Sequence, residues 1–584
     1  MKSFFKTFFA SFLALIVFAV LGILILLAVI ATATNPDKPK IGSKGVLVLD
    51  LTKEYKEQAK ENPLNNLTGN AGDNVPGLYD VVRMISFAKT DSSIKGIYIK
   101  CDDNVNGYAS SQEIRNALAD FKTTHKFVIA YGDVISQNAY YVASIADKIY
   151  CNPKGSVDWK GLGTTIMFLK GALDKLEIEP QIFYAGKFKS ATEPLRAYEM
   201  TAPNKLQTSV YLNDLYSYIL LAAAEKSKSD TASLHQLANT GAVQTATEAA
   251  QYKLIDAVKY DDEVKSEMIK LLRIDADETI NFVALSKYAK SVDFDKDGDD
   301  KLAIIYADGE IIDGKGKEDE IGADDYRAII RKARIDKNIK AIVFRVNSPG
   351  GSALASEEIW REITMARKAK PVVVSFGNYA ASGGYYISCN ADSIFAQPNT
   401  ITGSIGVFGI IPNLKKFFNN KLGITFDGVA TGPYANTPSV DRPLNAAEKQ
   451  FVQNSIDTTY STFKNRVAQG RRLPLEVVDS IAQGRVWTGQ RAVQLGLVDK
   501  LGSLTDAVQC AAGMAKVKSY RLKEYPEKKG WFEKVFNTYS NDVKMKAVKD
   551  EIGAEQYAIF QQLKKVRNMI NVPQARLPFD MNIR

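Results

Sequence analysis

Residues 371–386 read PVVVSFGNYAASGGYY, an apolar, β-branched run that breaks at small residues and resumes with residues compatible with a helix. This pattern predicts a strand, a tight turn and a helix, with Ser382 at the corner. Small neighbours on both sides would let another backbone approach the Ser382 hydroxyl, and the N–H groups that open a helix would face a negative charge formed there. An acyl-transfer nucleophile needs this setting, although a small-residue turn packed under a helix has the same pattern.

A second stretch, residues 346–352, reads VNSPGGS and follows another apolar run at residues 339–344. It predicts a strand, a Pro-Gly-Gly turn and then a helix. The glycines can expose backbone N–H groups at the carboxyl end of a parallel strand, which is where open α/β sheets bind their ligands. Together, the two stretches favour a catalytic site over a turn with a purely structural role.

The chain carries an internal repeat. Residues 94–97 (IKGI) align with residues 339–342 (IKAI), and residues 140–141 (YY) align with residues 385–386 (YY), at one constant spacing without a gap over about seventy residues. In each copy, strand-like apolar runs alternate with helical segments, which predicts βαβ units and a mainly parallel sheet. We therefore expect two similar α/β domains.

The two copies differ at the positions that matter for chemistry. In this alignment, Ser382 falls opposite Gln137, and the glycines at residues 350–351 have no glycine counterpart in the first copy. Conversely, Lys189 of the first copy falls opposite Ala435 of the second. One copy therefore keeps a lysine and the other keeps the serine.

These motifs resemble those of the protease IV family, also known as signal peptide peptidase A. The resemblance is carried by residues 348–352 (SPGGS), 380–385 (AASGGY) and 402–406 (TGSIG), and it extends from the N-terminal apolar segment to about residue 520. That family belongs to the wider Clp-protease and crotonase fold group. The resemblance implies an α/β fold of tandem duplicated Clp/crotonase-like βαβ domains, preceded by one transmembrane helix.

A serine nucleophile needs a base, and the histidine count nearly excludes a Ser-His-Asp triad. The chain has two histidines, His125 and His235, and both lie in the first copy, far in sequence from Ser382. A lysine can serve as the base when burial keeps it neutral and no carboxylate pairs with it. Lys187 and Lys189 would share one face of an extended segment, so position alone does not choose between them.

The resemblance to the protease IV family selects Lys189 over Lys187. Residues 186–194 match the family pattern Gly-x-x-Lys-Ser-Ala-x-Glu-Pro, which places the general base on the lysine before Ser-Ala and leaves Glu193 as a structural or capping partner. Ser404 would hydrogen-bond the lysine amine, and two backbone N–H groups would hold the oxyanion. The implied site is Ser382 (nucleophile), Lys189 (base) and Ser404, with oxyanion donors Gly351 and Gly383. It requires no metal and no cofactor.

The N-terminal segment is predicted to anchor the protein in a membrane. Residues 8–31 carry no charge and are long enough to cross a bilayer. A cleaved signal peptide is the alternative, because residues 31–33 read Ala-Thr-Ala, but the apolar run is longer than is usual for such a peptide. Lysines lie on both sides of the span, so their distribution says little about orientation. The expected topology is a short inside tail with the large domains translocated.

Composition excludes some other classes. The net charge of +9 over 584 residues is modest, and basic residues are interspersed with acidic ones until the C-terminal tail, so nucleic acid is not an expected partner. The four cysteines are far apart and are expected to be buried thiols. Residues 293–298 mimic the start of an EF-hand loop, but Ile304 stands where the bidentate glutamate should be, so a solvated linker is expected.

The predicted organisation has five parts: an anchor (1–44), a domain supplying lysine (45–270), a linker (271–300), a domain supplying serine (301–525) and a basic helical tail (526–584). The predicted function is a membrane-anchored serine endopeptidase with a Ser-Lys dyad. It would degrade remnant signal peptides and other membrane-released peptides on the periplasmic side of a bacterial inner membrane. The resemblance also implies that the chain forms a homotetramer. A non-catalytic membrane scaffold and a crotonase-like acyl-CoA enzyme remain the alternatives.

Overall fold

The computed structural model describes residues 2–34, 39–59, 74–292, 298–317, 319–527 and 572–577. Within these residues the fold is α/β, and its strands form three sheets. The α/β fold class predicted from the alternating apolar runs is confirmed.

The first copy builds a parallel sheet of six strands. In chain order, the strands of this part of the chain are β1 (Gly45–Asp50), β2 (Ile94–Lys100), β3 (Phe127–Ile135), β4 (Lys148–Val157), β5 (Glu179–Ala185), β6 (Ala257–Val258) and β7 (Phe282–Ala284). All of them except β5 belong to this sheet. The spatial order is β6-β4-β3-β2-β1-β7, and every pair is parallel. Such a sheet requires crossover helices, which cover its faces and bury the apolar strands.

The N-terminal helix and the helices of the first copy follow in chain order. They are α1 (Lys2–Thr34), α2 (Leu78–Ala88), α3 (Tyr108–Lys122), α4 (Gln137–Ala143), α5 (Lys170–Lys175), α6 (Glu193–Arg196), α7 (Ala202–Ser227), α8 (Thr231–Thr240), α9 (Ala246–Gln251), α10 (Asp261–Leu272) and α11 (Leu285–Ser291). A short 3₁₀ helix, Ser190–Thr192, precedes α6.

The second copy builds the larger, eight-stranded sheet. The remaining strands of the chain are β8 (Lys301–Asp308), β9 (Glu310–Ile312), β10 (Glu320–Gly322), β11 (Ile339–Ser348), β12 (Gly350–Ser352), β13 (Val372–Ala381), β14 (Ser393–Ala396), β15 (Ile401–Gly403), β16 (Val407–Asn413), β17 (Val486–Thr488), β18 (Lys500–Leu501), β19 (Arg521–Tyr525) and β20 (Gln574–Arg576). The main order is β17-β15-β13-β11-β8-β19, with β14 beside β13 and β18 beside β14. All of these pairs are parallel except β15 with β17.

The helices of the second copy complete the fold. They are α12 (Ala323–Ile335), α13 (Ala353–Ala369), α14 (Gly383–Tyr386), α15 (Ala446–Arg471), α16 (Leu475–Ile481), α17 (Gly489–Gln494) and α18 (Leu504–Met514), together with a π-helical turn, Phe417–Leu422.

The internal repeat is visible in the elements themselves. At the spacing found in the sequence, β2 corresponds to β11, α3 to α13 and β3 to β13, and each pair begins at equivalent positions. The two copies therefore fold alike along the aligned stretch.

One predicted element is wrong. The Pro-Gly-Gly segment was expected to be a turn, but Gly350–Ser352 is the extended strand β12 in a third sheet of order β10-β9-β12-β20-β16-β5. This sheet unites distant parts of the chain, because β5 comes from the first copy and β20 from residues 574–576. Local sequence could not indicate these partners, since they lie hundreds of residues away.

Arg345 on β11 ties the two copies together. Its side chain is 1% exposed and lies 2.8 Å from Glu57 and 2.7 Å from Glu113, both of the first copy. Its Nη1 also donates to Ser375 Oγ at 2.9 Å and to the Phe376 carbonyl at 3.0 Å. Because buried charges need such pairing, the copies are held in one relative position at this point.

Helix α1 is long and apolar enough to span a bilayer. Its segment Phe4–Gly22 has a mean hydropathy of 2.3 and is entirely exposed. A signal sequence near the N-terminus can meet the same criterion of length and hydropathy, so the criterion alone does not distinguish a retained anchor from a signal sequence.

Two predicted regions fall largely outside the described residues. The EF-hand-like start at residues 293–297 lies there, and so does most of the basic tail, at residues 528–571 and 578–584. The domain boundaries stay a prediction. All four cysteines are free thiols in the described part of the chain, and three of them are buried, as expected.

Candidate active site

Ser382 lies at the corner between β13 and α14, as predicted, and it is fully buried. Its backbone angles, φ 55° and ψ −114°, are unusual for a residue with a side chain and cost on the order of 1–3 kcal/mol. A hydrogen bond from the Ser382 N–H to the Gly403 carbonyl, 2.8 Å, helps to hold this conformation. The helix that follows has a single turn, which is shorter than the pattern suggested.

Lys189 reaches Ser382 from the other copy. Its Nζ lies 2.8 Å from Ser382 Oγ and 3.1 Å from both Oγ and the carbonyl oxygen of Ser404. All three side chains are buried, with Lys189 1% exposed and the serines 0%. The structure thus brings together the three residues that the motifs singled out, from segments almost two hundred residues apart.

The segment around Lys189 is a turn, not the extended strand considered above. The Lys189 N–H donates to the Gly186 carbonyl at 3.0 Å, and the chain then enters the 3₁₀ helix. As a result the two lysines point differently: Lys187 is exposed, with its amine 5.2 Å from the centre of the Phe188 ring, whereas Lys189 is buried. Only Lys189 is therefore in position to act on Ser382.

Burial lowers the pKa of Lys189 well below its usual range. Burial is the sole cause, because within the described part of the chain no carboxylate pairs with its amine. Desolvation disfavours the ammonium form, whereas a carboxylate would have restored it. The amine can therefore be neutral and accept a proton.

The two glycines predicted to supply the oxyanion donors lie close together, and one of them, Gly383, follows Ser382 directly. Gly350 adopts φ +98°, and its N–H donates to Ser348 Oγ at 3.1 Å. A Cβ atom added to Gly383 would lie only 3.1 Å from the Gly351 nitrogen, so the two predicted oxyanion donors are close neighbours. A Cβ atom on Gly351 would lie 1.9 Å from the Ile311 carbonyl oxygen, so a side chain does not fit at this position.

Comparison with known proteins finds a matching protein family. The sequence profile described as Peptidase family S49 matches residues 120–275 and, again, residues 364–518. The chain belongs to peptidase family S49. It is a serine peptidase with two S49 repeats, and the predicted family and enzyme class are confirmed.

Relatives in this S49 family extend over most of the chain. Protease 4 of Salmonella typhi is 36% identical over 519 residues, covering 86% of this chain and 83% of that protein. Serine protease SPPA, chloroplastic, of Arabidopsis thaliana is 31% identical over 488 residues, 82% of this chain and 70% of that protein. A protein of Enterococcus faecium that bears the name of signal peptide peptidase SppA is 37% identical over 198 residues, 34% of this chain and 57% of that protein.

Among solved structures, a ClpP1 mutant from Listeria monocytogenes covers 35% of this chain and 94% of its own length, at 16% identity and a TM-score of 0.24. A likeness this distant carries no argument about the S49 chain.

Sequence reasoning missed the residues that hold Lys189 in place. Gly484, in the loop before β17, has φ +71°, and a Cβ there would lie 2.7 Å from both the backbone nitrogen and the Cβ of Lys189. The Gln483 carbonyl accepts from the Phe188 N–H at 2.8 Å, and Gln207 Nε2 donates to the Phe188 carbonyl at 3.1 Å. A glycine in an otherwise ordinary loop gives no signal of such a close approach.

In the first copy of this S49 chain, a glutamine side chain occupies the position that corresponds to Ser382. Gln137, the counterpart of Ser382, is buried, and its Oε1 accepts from the N–H groups of Lys160 and Gly161 at 3.1 Å each. A side-chain amide thus satisfies the backbone donors beside that corner. The first copy contributes Lys189 to the candidate site and has Gln137 at the position that corresponds to Ser382.

The remaining candidates have structural positions. Glu193 is buried and accepts from the Thr201 N–H at 3.1 Å and from Asn204 at 2.9 Å at the start of α7, which confirms its capping role. His125 lies in the turn after α3, and His235 packs 5.5 Å from the Tyr216 ring on α7. In the described residues, no group of three potential metal ligands comes together.

Proposed function

We propose that this chain is a membrane-anchored serine endopeptidase in which Lys189 of the first copy activates Ser382 of the second. The observation that carries the proposal is the 2.8 Å separation between Lys189 Nζ and Ser382 Oγ, with the amine buried. A neutral lysine can act as the general base for a serine nucleophile that lies beside it.

In the proposed reaction, Lys189 takes the proton of Ser382 as its Oγ attacks a peptide carbonyl. The backbone N–H groups of Gly351 and Gly383 stabilise the oxyanion, and Lys189 then protonates the leaving amine. Water then attacks the acyl-enzyme and gives a proton to Lys189. Lys189 returns this proton to Ser382 as the acid product leaves. Ser404 positions the lysine amine, since its Oγ lies 3.1 Å from Nζ.

The proposed substrates are remnant signal peptides and other peptides released from a membrane. Two observations support this: the relatives named Protease 4 and SppA, and the apolar helix α1, which would keep the site near the bilayer. We further propose that α1 is retained in the inner membrane, with residues 45–270 and 301–525 forming the two domains on its periplasmic side.

A homotetramer remains part of the proposal. Its support is a set of exposed apolar residues within the second copy, Leu422, Ile424, Phe426 and Val429, which are 44–99% exposed. Exposed apolar patches of this kind commonly mark interfaces.

The test is hydrolysis of a signal-peptide sequence by the full chain in detergent, compared with Ser382→Ala, Lys189→Met and the matched control Lys187→Met. We expect the first two to lose activity by at least about 10²-fold, because general-base catalysis alone contributes that much. Lys187→Met should retain activity, since that amine is exposed.

The dependence on pH gives a second readout. Because burial lowers the pKa of Lys189, activity should rise with pH as its amine loses a proton and should reach a plateau far below the usual pKa of lysine. Full activity of folded Lys189→Met, or loss of activity in Lys187→Met alone, would assign the base to another residue.

A further inference from the structure

A buried glutamine on helix α7 lies between the two segments that hold the Lys189 amine. Gln207 belongs to the first copy and is 2% exposed. Its amide nitrogen, Nε2, donates to the Phe188 carbonyl at 3.1 Å and to Ser190 Oγ at 2.9 Å. These two residues flank Lys189 in the chain, so one side-chain group binds both sides of the turn that carries the amine.

The other end of the same amide contacts the second copy. Gln207 Oε1 accepts from the Val486 N–H, on strand β17, at 3.3 Å. The peptide group that supplies this N–H also contains the Arg485 carbonyl, which accepts from the Ser404 N–H at 2.7 Å. One peptide group therefore connects Gln207 to Ser404, whose Oγ lies 3.1 Å from the Lys189 amine.

These contacts form a closed ring. The ring runs from Lys189 Nζ to Ser404, through the peptide group of residues 485–486 to the Gln207 amide, and back to the lysine turn. The carbonyl of the residue before Ser404 accepts from the Ser382 N–H at 2.8 Å, so the same strand holds the nucleophile. Because the side chains of Lys189, Gln207 and Ser404 are all buried, water does not replace these contacts.

Neighbouring groups determine which end of the Gln207 amide faces which segment. The Phe188 carbonyl can only accept a hydrogen bond and the Val486 N–H can only donate one, so the amide nitrogen faces the lysine turn and the oxygen faces β17. Asn204 Oδ1 also accepts from Nε2, at 3.2 Å, and Asn204 Nδ2 donates to the buried Glu193 carboxylate at 2.9 Å. A carboxylate in place of this amide could not donate to the lysine turn, and a hydrocarbon could bind neither segment.

Charged side chains also lie around this turn. The Lys187 amine and the Arg485 guanidinium lie 5.2 Å and 5.0 Å from the centre of the Phe188 ring, and the Glu193 carboxylate is held by donors at the start of α7. Within the described part of the chain, no carboxylate pairs with the Lys189 amine, and burial alone lowers its pKa. Opening the ring would let water reach this amine and would raise its pKa toward the usual value of lysine.

We propose that Gln207 is a positioning residue of the proposed site, because its amide holds the Lys189 amine against Ser404 and in line with Ser382. This inference rests on the proposed function. Gln207 acts through the two residues that flank Lys189 and through the peptide group that binds Ser404. Removing its amide should therefore weaken proton transfer and leave the binding of the peptide almost unchanged.

The experiment measures hydrolysis of a signal-peptide sequence by the full chain in detergent, from about pH 6 to about pH 10, for wild type, Gln207→Met and Gln207→Glu. The matched control is Gln181→Met. Gln181 is 6% exposed, and its Oε1 also accepts a backbone N–H of the second copy, that of Leu444, at 2.8 Å. Folding of each variant is checked by its melting temperature.

We expect Gln207→Met to lower kcat by about 10- to 100-fold and to change KM by less than about twofold, because a small displacement of the base affects the chemical step. Its activity should rise at a pH at least about one unit higher than that of wild type, since the amine is less enclosed. Gln207→Glu should shift the rise further, because a carboxylate favours the ammonium form of lysine. Gln181→Met should keep the wild-type kcat and pH dependence.

Other results overturn the inference in distinguishable ways. If the folded Gln207 variants keep the wild-type kcat and pH dependence while Lys189→Met is inactive, the positioning role fails and the proposed function stands. A loss of kcat without a shift in pH dependence, or an equal shift in Gln181→Met, would indicate a general structural effect and overturn the inference. Failure of both Gln207 variants to fold, with Gln181→Met folded, would make Gln207 a residue needed for folding only. Full activity of Lys189→Met would refute the proposed function and this inference with it.

Discussion

Replacing Arg345 with methionine should lower the free energy of unfolding by destabilising the contact between the two copies. The guanidinium compensates Glu57 and Glu113, whose side chains are 4% and 1% exposed, so the variant leaves two carboxylates buried beside each other. Removing one partner of a buried ion pair costs about 3–5 kcal/mol. Because one arginine serves two carboxylates here, we expect a loss near the upper end, about 5 kcal/mol.

The assay is the urea midpoint of unfolding of the full chain in detergent, followed by tryptophan fluorescence. The matched control is Arg327→Met, whose guanidinium is 42% exposed and pairs with Glu358 at 3.0 Å; it should lose at most about 1 kcal/mol. Adding Glu57→Gln and Glu113→Gln to Arg345→Met should recover most of the loss, because no uncompensated charge then remains buried.

The loss should also depend on pH. Burial raises the pKa of Glu113, an effect that Arg345 opposes and the charge of Glu57 increases. A carboxyl whose pKa is raised on folding favours the folded chain at low pH and loses that contribution as the pH rises through the raised pKa. The deficit of Arg345→Met should therefore be smaller at about pH 5 than at about pH 8. A deficit equal to that of Arg327→Met at both pH values would refute the reasoning.

Two further predictions concern single residues near the site. Burial and the charge of Glu57 raise the pKa of Asp308 to about 7, so the wild-type chain should lose stability as the pH rises through that value. Asp308→Asn should lose less stability over the same pH range. The measurement is the melting temperature as a function of pH, with Asp277→Asn as the exposed control. Gly484→Ala should lower kcat by up to about 10²-fold, because the added methyl group would displace Lys189 from Ser382. Gly241→Ala, where the glycine has a similar φ and open space around it, should leave kcat unchanged. Equal kcat values for both variants would contradict this prediction.

Much of the fold could be predicted because the repeat and the alternation of apolar runs are local signals. The strand, corner and helix around Ser382, the βαβ units of the first copy and the correspondence of the two copies all follow from short-range patterns. The pairing of a lysine in one copy with a serine in the other could be anticipated only through motifs, since spacing says nothing about which distant segments meet.

The parts that could not be predicted depend on long-range contacts. The Pro-Gly-Gly segment looks like a turn, but it becomes a strand because residues 574–576 and β9 pair with it. Likewise, residue spacing does not distinguish Lys187 from Lys189, because the turn that buries Lys189 is packed against the distant residues Gly484 and Gln207.

The burial of Lys189 between the copies has a consequence for biogenesis. An isolated lysine in water keeps its proton, so the proposed base exists only after both repeats have folded and docked around it. A chain whose two repeats have not yet docked would hold an exposed, protonated lysine and no activated serine. The proposed catalytic base would thus become available only when the tertiary structure of the chain is complete.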